Sequence, residues 1–356
     1  MKIKYILLLI IFFVGCEKDI PVQYINNNFN PNPLNIEIPS GFPYANQNLD
    51  LTEEGVLLGR KLFYEKKLSQ NNQMSCASCH IQEFGFSNGT RYSVGVSGIA
   101  GDLNAPSLSN LLWSSSFNWN GDETSLEEQA FRPITHPNEL AENWINIINK
   151  LTKDPEYPNL FKAAFGTEKI DSIKITNAIA QFEKTMISSN SKFDKYLRGE
   201  EQLTSSELNG FLLFNQDPLI NGKGGDCFHC HGGQSNLLFH DNALHNNGLD
   251  STQYLDEGLF LITGNPLDKG KFRTPTLRNI EFSAPYMHDG RFETLEEVIE
   301  HYNSGGVYSS TISPLLKFNG IGLNLTEQDK IDLVNFLKTL SDYEYINNVN
   351  LSNPNE

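Results

Sequence analysis

Four of the five cysteines in this chain form two C-x-x-C pairs, and a histidine follows each pair directly. The first motif reads CASCH (Cys76, Cys79, His80) and the second reads CFHCH (Cys227, Cys230, His231). In c-type haem attachment, two thiols add across the porphyrin vinyl groups and the next residue places its imidazole under the iron. The spacing therefore predicts two covalently bound haems, each with the motif histidine as its proximal ligand.

Two other interpretations of these motifs stay open at this point. Paired C-x-x-C units can hold a structural zinc ion, and a single C-x-x-C pair can form a redox-active disulfide. Neither use requires a histidine directly after the second cysteine, whereas this chain has that histidine twice. Haem attachment is therefore the favoured interpretation.

The fifth cysteine, Cys16, ends an apolar N-terminal stretch. The chain starts MKIK, continues YILLLIIFFV and then reaches Gly15 and Cys16. About ten apolar residues are too few to span a bilayer stably, and they fit the core of a signal peptide. The ending FVGC resembles a lipobox, so we expect export and lipidation of Cys16, with an ordinary signal peptide as the alternative. Export to the periplasmic side also fits c-type haem, and no later apolar run approaches transmembrane length.

Composition bounds the size and the partners of the protein. A chain of 356 residues with 39% hydrophobic residues is long enough for two cores. Lys and Arg total 27 against 43 Asp and Glu, which gives a formal net charge of -16. This acidic balance disfavours nucleic acid and charge-driven binding to anionic lipid, and it suits a basic redox partner. We therefore expect membrane contact only through the lipid on Cys16.

Helical segments lead into both haem motifs. The segment LTEEGVLLGRKLFYEKKLS has a candidate N-cap at Thr52 and apolar Val56, Leu57 and Phe63 at helical spacing. The segment RGEEQLTSSELNGFLLFNQ repeats the order of polar start, helix and C-x-x-C-H. Because this order occurs twice, we interpret the chain as a coarse internal duplication of helix and haem site.

Other segments also predict helices, and strand signals are few. These segments are SLEEQAF, NELAENWINIINKL, DSIKITNAIAQFEKTMIS and LTEQDKIDLVNFLKTL. In the last of them Thr326 is a candidate N-cap. Its apolar residues on one face are Ile331, Val334, Leu337 and Leu340. The fold class that follows is mainly α, with two cytochrome c-like haem domains packed against each other and few short strands.

These patterns also divide the chain into parts. Residues 17–48 are rich in Asn and Pro and show no sustained period, which is typical of a flexible tether. We predict a lipoprotein signal peptide at 1–16, the tether at 17–48, an N-terminal haem domain at 49–200, a C-terminal haem domain at 201–345 and a tail at 346–356.

Segments around the motifs resemble bacterial di-haem cytochrome c peroxidases. They are FRTPTLRNIEFSAPYMHDGRFETLEEVIEHY, LGRKLFYEKKLSQNNQMSCASCH, NAPSLSNLLW and FNWNGDETSLEEQAFRPITHPNEL. The resemblance covers roughly residues 48–343, nearly the whole mature chain. This superfamily includes the peroxidases and relatives that oxidise protein side chains. Among the latter are MauG, which matures a tryptophan-derived cofactor, and MbnH, which oxidises a tryptophan in a partner protein.

The resemblance implies roles at the first haem. His80 would be the proximal ligand of the peroxidatic haem, and Trp119 in FNWNG matches the tryptophan that relays electrons between the haems. Gln129 and Glu139 match the polar groups over the open iron face, and Pro133 matches a small apolar residue of that pocket. A carboxylate there can move a proton between the two peroxide oxygens. Without the resemblance, Trp119 would be read as a core residue and Glu139 as an acidic residue in a helix's first turn.

The resemblance also implies roles at the second haem. His231 would be the proximal ligand of the electron-transfer haem, and Arg273 is a candidate partner for a haem propionate. Tyr302 in IEHYNSGG stands where electron-transfer peroxidases place an axial methionine. A phenolate ligand stabilises ferric iron, whereas methionine raises the potential. Met287 and His301 stay open as alternative ligands.

One segment departs from the peroxidase pattern in a way that bears on the reaction. In the peroxidases a distal histidine precedes the NAPSL block and closes the first haem in the oxidised state. Residues 91–103, RYSVGVSGIAGDL, contain no histidine. His136 is near the distal motif, and we interpret it as a surface or supporting residue rather than a ligand. Together with Tyr302, the missing histidine is typical of MauG.

Calcium is a further cofactor that the resemblance implies. Asn104, Ser283 and Pro285 match positions that hold a calcium ion between the haems, largely through carbonyl oxygens. Ser283 stands where the family usually has threonine, a change that a backbone carbonyl ligand would survive.

Three functions follow, in order of preference. The first is a di-haem c-type peroxidase that reduces hydrogen peroxide with electrons from a small redox protein. The second is peroxide-dependent oxidation of a tryptophan in a partner protein, as in MauG and MbnH. The third is a di-haem electron carrier without enzymatic activity. No nucleic-acid partner is expected, and a homodimer is kept as one option for the assembly.

Overall fold

The computed structural model describes residues 29–355, and this part of the protein is mainly α-helical, as predicted. The α-helices are α1 (Glu53–Phe63), α2 (Leu126–Gln129), α3 (Phe131–Thr135), α4 (Trp144–Lys153), α5 (Tyr157–Phe165), α6 (Ser172–Lys184), α7 (Lys192–Leu197), α8 (Ser205–Phe214), α9 (Pro218–Asn221), α10 (Phe228–His231), α11 (Phe260–Thr263), α12 (Leu295–Asn303), α13 (Glu327–Lys338) and α14 (Tyr343–Ile346). The 3-10 helices are Lys66–Leu68, Cys76–Ser78, Gln82–Phe84, Leu111–Trp113, Thr252–Tyr254, Pro266–Asp268 and Ile280–Phe282. The strands β1 (Leu244–His245) and β2 (Phe272–Arg273) pair antiparallel, with Leu244 opposite Arg273. The predicted signal peptide and Cys16 lie outside the described residues.

Each haem motif follows a helix that packs against a second helix further along the chain. Helix α1, before the first motif, packs against α6, and helix α8, before the second motif, packs against α13. A Cβ at Gly59 would lie 1.8 Å from the Ala178 carbonyl oxygen, and a Cβ at Gly210 would lie 1.9 Å from the Asp332 carbonyl oxygen. The separation in sequence from Gly59 to Cys76 is the same as the separation from Gly210 to Cys227. The duplication inferred from the sequence therefore extends to the way the helices cross.

The two halves of the chain have separate apolar cores. The first cluster includes Leu58, Leu62, Ile147, Phe161 and Ile175. The second includes Phe193, Phe211, Phe239, Phe336 and Leu340. Phe193 lies on α7, and the neighbouring Asp194 forms a buried ion pair with Arg278 at 2.8 Å. Helix α7 therefore packs with the second core.

Two asparagines arrange the chain after the helix pairs in the same way. Asn110 Oδ1 accepts from the Ser188 amide at 2.9 Å, and Asn279 Oδ1 accepts from the Asp342 amide at 2.8 Å. The φ angles of Asn110 and Asn279 are 60° and 62°, a left-handed conformation that Asn tolerates better than most residues. These equivalent asparagines are further apart in the chain than the two haem motifs are. The repeat thus continues beyond the motifs, with a longer insertion between its halves.

The N-terminal end of the described chain is docked. Phe42 packs edge to face on Trp113 with ring centroids 5.0 Å apart, and Trp113 Nε1 donates to the Pro43 carbonyl at 2.8 Å. The predicted tether at 17–48 therefore needs correction for its described part, because its apolar side chains pack against the body. Across residues 29–355, no helix combines the length and apolar character that a membrane crossing requires.

The C-terminal end returns to the first domain. Leu351 is buried, and its carbonyl accepts from the Tyr64 hydroxyl at 2.7 Å. Arg60 Nε donates to the Ser352 carbonyl at 2.6 Å. The segment predicted as a tail, 346–356, is therefore packed on α1 in its described part.

Helix positions differ from the prediction in some details. Leu57 is 61% exposed on α1 and Ile331 is 51% exposed on α13, while Leu58 and Leu333 are buried. The apolar residues of these helices occupy adjacent faces, so the periodicity did not single out the buried one. Residues 137–140 form a turn and α4 starts only at Trp144, so Glu139 is not in a helix's first turn.

Candidate haem sites and the residues between them

The two motif histidines are held by the same kind of contact. His80 Nδ1 donates to the Phe86 carbonyl at 2.9 Å, and His231 Nδ1 donates to the Phe239 carbonyl at 3.2 Å. Phe86 and Phe239 share a left-handed backbone, with φ of 60° and 56°. Because Nδ1 is engaged as a donor, Nε2 is the nitrogen left for a metal. Burial lowers the pKa of His80 and of His231, which favours the neutral, metal-binding form.

The motif cysteines match haem attachment better than the alternatives. No disulfide joins either pair. Among the described residues no set of four Cys and His side chains comes together as a structural zinc site requires. The groups of three possible ligands there are Cys230 with Asp241 and His245, and Asp217 with Asp226 and His229.

Two buried basic side chains fit a haem at the second motif. Burial lowers the pKa of Arg273 to about 10, and no ion pair to this guanidinium occurs among the described residues. Its Nε donates to the Asn118 carbonyl at 3.2 Å. His240 is also buried, and its Nδ1 has no hydrogen-bond partner. Both residues line the same cavity as His231, where a haem propionate would supply the missing anionic partner.

Glu139 lies beside the first motif. Burial and, in smaller measure, the charge of Glu139 raise the pKa of Cys79, which places the carboxylate near the motif. Burial also raises the pKa of Glu139 itself, against the opposing charges of His136 and Arg132. Its side chain is still 51% exposed, with Oε1 3.5 Å from His136 Nδ1. The carboxyl group is thus open to solvent on one side and poised to exchange protons.

Gln129 and Pro133 lie on the short helices that precede the Glu139 turn. Gln129 ends α2, and its Nε2 donates to Asn118 Oδ1 at 3.3 Å. Pro133 lies on α3, and its carbonyl accepts from the Leu140 amide at 3.1 Å. The turn that carries Glu139 is therefore tied to α3, and Gln129 is tied to the segment that carries Trp119.

The histidine-free segment 91–103 is held from two sides. The Val96 amide donates to the Glu139 carbonyl at 2.9 Å. Arg91 Nε donates to the Asp289 carbonyl at 2.9 Å, and its guanidinium forms an ion pair with the Asp289 carboxylate at 3.2 Å. This segment is therefore anchored both to the Glu139 turn and to the second domain.

Trp119 lies where the two domains meet. Its Nε1 donates to the Asn104 carbonyl at 2.7 Å, and its own carbonyl accepts from the Arg273 amide at 2.7 Å. The Asn104 amide donates to the His288 carbonyl at 2.7 Å. The Trp119 and His288 rings lie edge to face, with centroids 6.5 Å apart. This places Trp119 in contact with both halves of the protein.

The three candidate ligands for the second iron surround Asn247. Asn247 Nδ2 donates to Met287 Sδ at 3.3 Å, and its carbonyl accepts from His301 Nε2 at 2.9 Å. Tyr302 and Met287 line the cavity of His231, and His301 does not. Burial raises the pKa of Tyr302 to about 12, while a hydrogen bond with Asn247 lowers it. Of the three candidates, Tyr302 and Met287 therefore lie in the cavity of His231, while His301 is engaged by the Asn247 carbonyl.

The predicted calcium ligands share one cavity as well. Asn104, Ser283 and Pro285 all line it. The Asn104 carbonyl is used by Trp119, and its Nδ2 donates to the Thr90 and Arg91 carbonyls at 3.1 and 3.3 Å. This leaves the side-chain oxygen of Asn104 for a cation.

A duplicated helical fold with one C-x-x-C-H motif per half defines a di-haem c-type cytochrome. Comparison with known proteins specifies the family. A family model described as di-haem cytochrome c peroxidase matches residues 53–202. This match covers less than half of the chain, and the relatives described next show that the chain belongs to this family.

The relatives include proteins named MauG and proteins named cytochrome c peroxidase. The methylamine utilization protein MauG of Methylorubrum extorquens is 36% identical over 304 residues, which cover 85% of this chain and 82% of that protein. The cytochrome c551 peroxidase of Nitrosomonas europaea is 35% identical over 268 residues, covering 71% and 73%. A crystal structure of a MauG-like protein associated with microbial copper homeostasis matches with a TM-score of 0.82 and 36% identity, covering 91% of this chain and all of that one. The mainly α fold, the two c-type haem sites and the oxidoreductase class are thereby confirmed.

Several residues of the site escaped the sequence analysis. His288, His240 and Asn247 were not singled out. His288 had a detectable signal, because FNWNG (117–121) and YMHDG (286–290) are similar and place Trp119 and His288 in equivalent positions of the duplication. The carbonyls of Phe86 and Phe239 had none, since any residue supplies a carbonyl.

Proposed function

We propose that the protein reduces hydrogen peroxide to water at the first haem site, with electrons that a small redox protein delivers at the second. The observation that carries this proposal is the Glu139 turn beside the first motif, with the histidine-free segment 91–103 bound against it. The haems, when bound, supply the iron coordination and the electrons for cleavage of the O–O bond.

The residues around the first site would handle protons. Heterolytic cleavage needs one proton to move from the inner to the outer peroxide oxygen, so that the outer oxygen leaves as water. Glu139 is suited to this transfer because its raised pKa and partial exposure let it accept and return a proton. The Gln129 amide would hold the peroxide by a hydrogen bond, and Pro133 would exclude water from the apolar side.

Electrons would pass between the two haem sites through Trp119, which lies where the two domains meet. Trp119 is buried, it contacts His288, and its main chain is bonded to Arg273 of the second domain. A residue fixed by both domains keeps a constant separation from both sites. An acidic protein of net charge -16 suits a basic redox protein as the electron donor.

A second candidate function is oxidation of a protein side chain. Relatives named MauG and relatives named peroxidase match at similar identity, 36% and 35%, so overall similarity does not separate the two activities. Tyr302 in the His231 cavity favours the MauG-like function, since an anionic oxygen ligand would stabilise ferric and more oxidised iron. The partner would then be a protein with an oxidisable tryptophan.

Further features belong to the same proposal. A calcium ion would bind at Asn104 Oδ1 and the carbonyls of Ser283 and Pro285, and metal analysis before and after chelation tests it. The mature protein would be exported to the periplasmic side and anchored by lipid on Cys16, which intact-mass measurement tests. Analytical ultracentrifugation distinguishes a monomer from the homodimer.

The peroxidase proposal is tested with the di-haem holoprotein and a reduced small c-type cytochrome. Addition of hydrogen peroxide should oxidise the donor with two electrons consumed per peroxide. A donor that stays reduced while the protein still reacts with peroxide favours the MauG-like function. A ferric EPR spectrum with no high-spin signal would instead support the electron carrier, because a carrier needs both irons six-coordinate.

A further inference from the structure

Aromatic rings connect the first haem site with the surface beside α1. Phe86 lies 5.6 Å from Tyr345 and 6.2 Å from Phe63, and Phe63 lies 5.3 Å from Tyr64, all measured between ring centroids. All three contacts are edge to face. Phe86 is also the residue whose carbonyl holds His80 Nδ1 at 2.9 Å. We name Tyr345, Phe86, Phe63 and Tyr64 the aromatic chain.

The buried end of the aromatic chain has a hydroxyl that packing does not explain. Tyr345 is 2% exposed, and its hydroxyl interacts with the Ser109 side chain but forms no hydrogen bond of good geometry. A buried hydroxyl without a well-formed hydrogen bond costs stability, and a phenylalanine would avoid this cost. Burial raises the pKa of Tyr345, so this phenol stays neutral. The hydroxyl makes the ring easier to oxidise, because a phenol loses an electron far more easily than a phenyl ring.

The other end of the aromatic chain reaches solvent. Tyr64 is the C-cap residue of α1 and is partly exposed. Its hydroxyl donates to the Leu351 carbonyl at 2.7 Å. A partly exposed phenol can release its proton to water when it loses an electron. Tyr64 therefore combines an aromatic connection to the first site with access to molecules in solution.

We propose that Tyr64 is a second oxidation site, at which small phenolic donors in solution give single electrons to the protein. This proposal rests on the proposed reaction with peroxide. Hydrogen peroxide takes two electrons from the protein and, with two protons, becomes two water molecules. Tyr64 replaces one of these electrons by transfer through Phe63 and Phe86, and it releases its proton to water as a tyrosyl radical forms. A phenol then returns one electron and one proton to Tyr64 and leaves as a phenoxyl radical.

The experiment uses the ferric holoprotein and hydrogen peroxide without a donor. Samples frozen after mixing should show a tyrosyl radical by EPR, and peptide mass spectrometry should place oxidation products at Tyr64. The Tyr64→Phe variant should lose both, and it should lose peroxide-dependent oxidation of a simple phenol. Its haem absorption should still change on addition of peroxide, because the first site is untouched. Tyr345→Phe should weaken the radical signal without abolishing the products at Tyr64.

The matched control is Tyr343→Phe. Tyr343 is an exposed tyrosine whose ring contacts Phe282 and not the aromatic chain, so this variant should behave as wild type. A radical signal and phenol oxidation that persist in Tyr64→Phe, or oxidation products confined to other residues, overturn the proposal. Haem absorption that does not respond to peroxide overturns the proposed function as well, and this failure is visible in the wild type before any variant is made.

Discussion

Trp119 and His288 lie edge to face at the junction of the two haem domains, with ring centroids 6.5 Å apart. Their separation in the chain equals that of Asn104 and Arg273, so the four residues form two equivalent pairs of the duplication. The Asn104 amide donates to the His288 carbonyl and the Arg273 amide donates to the Trp119 carbonyl, both at 2.7 Å. The two halves of the duplication therefore exchange equivalent hydrogen bonds. One half contributes an indole to this junction and the other an imidazole.

The first prediction concerns haem stoichiometry. Because each motif offers two thiols, the mature protein should retain two haems per chain after denaturation. The double variant Cys76→Ala, Cys79→Ala should retain one. The pyridine haemochrome assay measures both numbers, and a wild-type value of one or none would contradict the assignment of the motifs.

The second prediction concerns access to the first iron. Segment 91–103 offers no histidine, so the ferric protein should react with peroxide without prior reduction. Stopped-flow absorption of the as-isolated ferric protein measures this directly. If reaction begins only after half-reduction, a ligand closes the site, and His136→Ala then tests whether that ligand is His136.

The third prediction concerns Glu139. Glu139→Gln should slow the reaction with peroxide by roughly 10²- to 10⁴-fold, the usual contribution of a general acid–base group. Glu128→Gln, an exposed carboxylate on the neighbouring α2, is the matched control and should react normally. Retention of the wild-type rate in Glu139→Gln would remove this residue from the proton transfer.

The fourth prediction concerns how the rate of reaction with peroxide depends on pH through the Glu139 carboxyl group. Burial raises the pKa of Glu139, and the charges of His136 and Arg132 oppose this shift only in part. Since the ionised form accepts the proton, the rate should fall as pH decreases through this raised pKa, at a higher pH than for an exposed glutamate. The decline should be absent from the residual rate of Glu139→Gln.

The fifth prediction concerns Tyr302. Tyr302→Phe should keep both haems but change the ferric spectrum of the second one, and it should shorten the life of any species formed with peroxide. The reason is that the phenyl ring cannot supply the anionic oxygen that stabilises oxidised iron. His301→Gln is the control, because His301 does not line the cavity and its Nε2 donates to the Asn247 carbonyl. Unchanged spectra in Tyr302→Phe would favour Met287, which is then tested by Met287→Leu.

The fold was predictable where one helix carries its own signal. Thr52 and Thr326 were predicted as N-caps, and each accepts a hydrogen bond from the third residue after it, Gly55 and Asp329. These contacts are local, so the sequence within one turn is sufficient to specify them. The exposed position of Leu57 could not be read in this way, because which apolar face is buried depends on the helix packed against it.

The features of the site can likewise be separated into those that depend on local sequence and those that depend on the fold. Two haem attachment sites could be predicted from the residues alone, because thiol and imidazole chemistry requires fixed residue types at fixed short spacing. The folded structure was needed to show that Tyr302 and Met287 line the His231 cavity whereas His301 does not. It also decided that Phe86 and Phe239 orient the two histidines and that Trp119 and His288 meet between the domains. These relations join residues that are distant in the chain or use main-chain carbonyls common to all residues, so no local pattern of side chains encodes them.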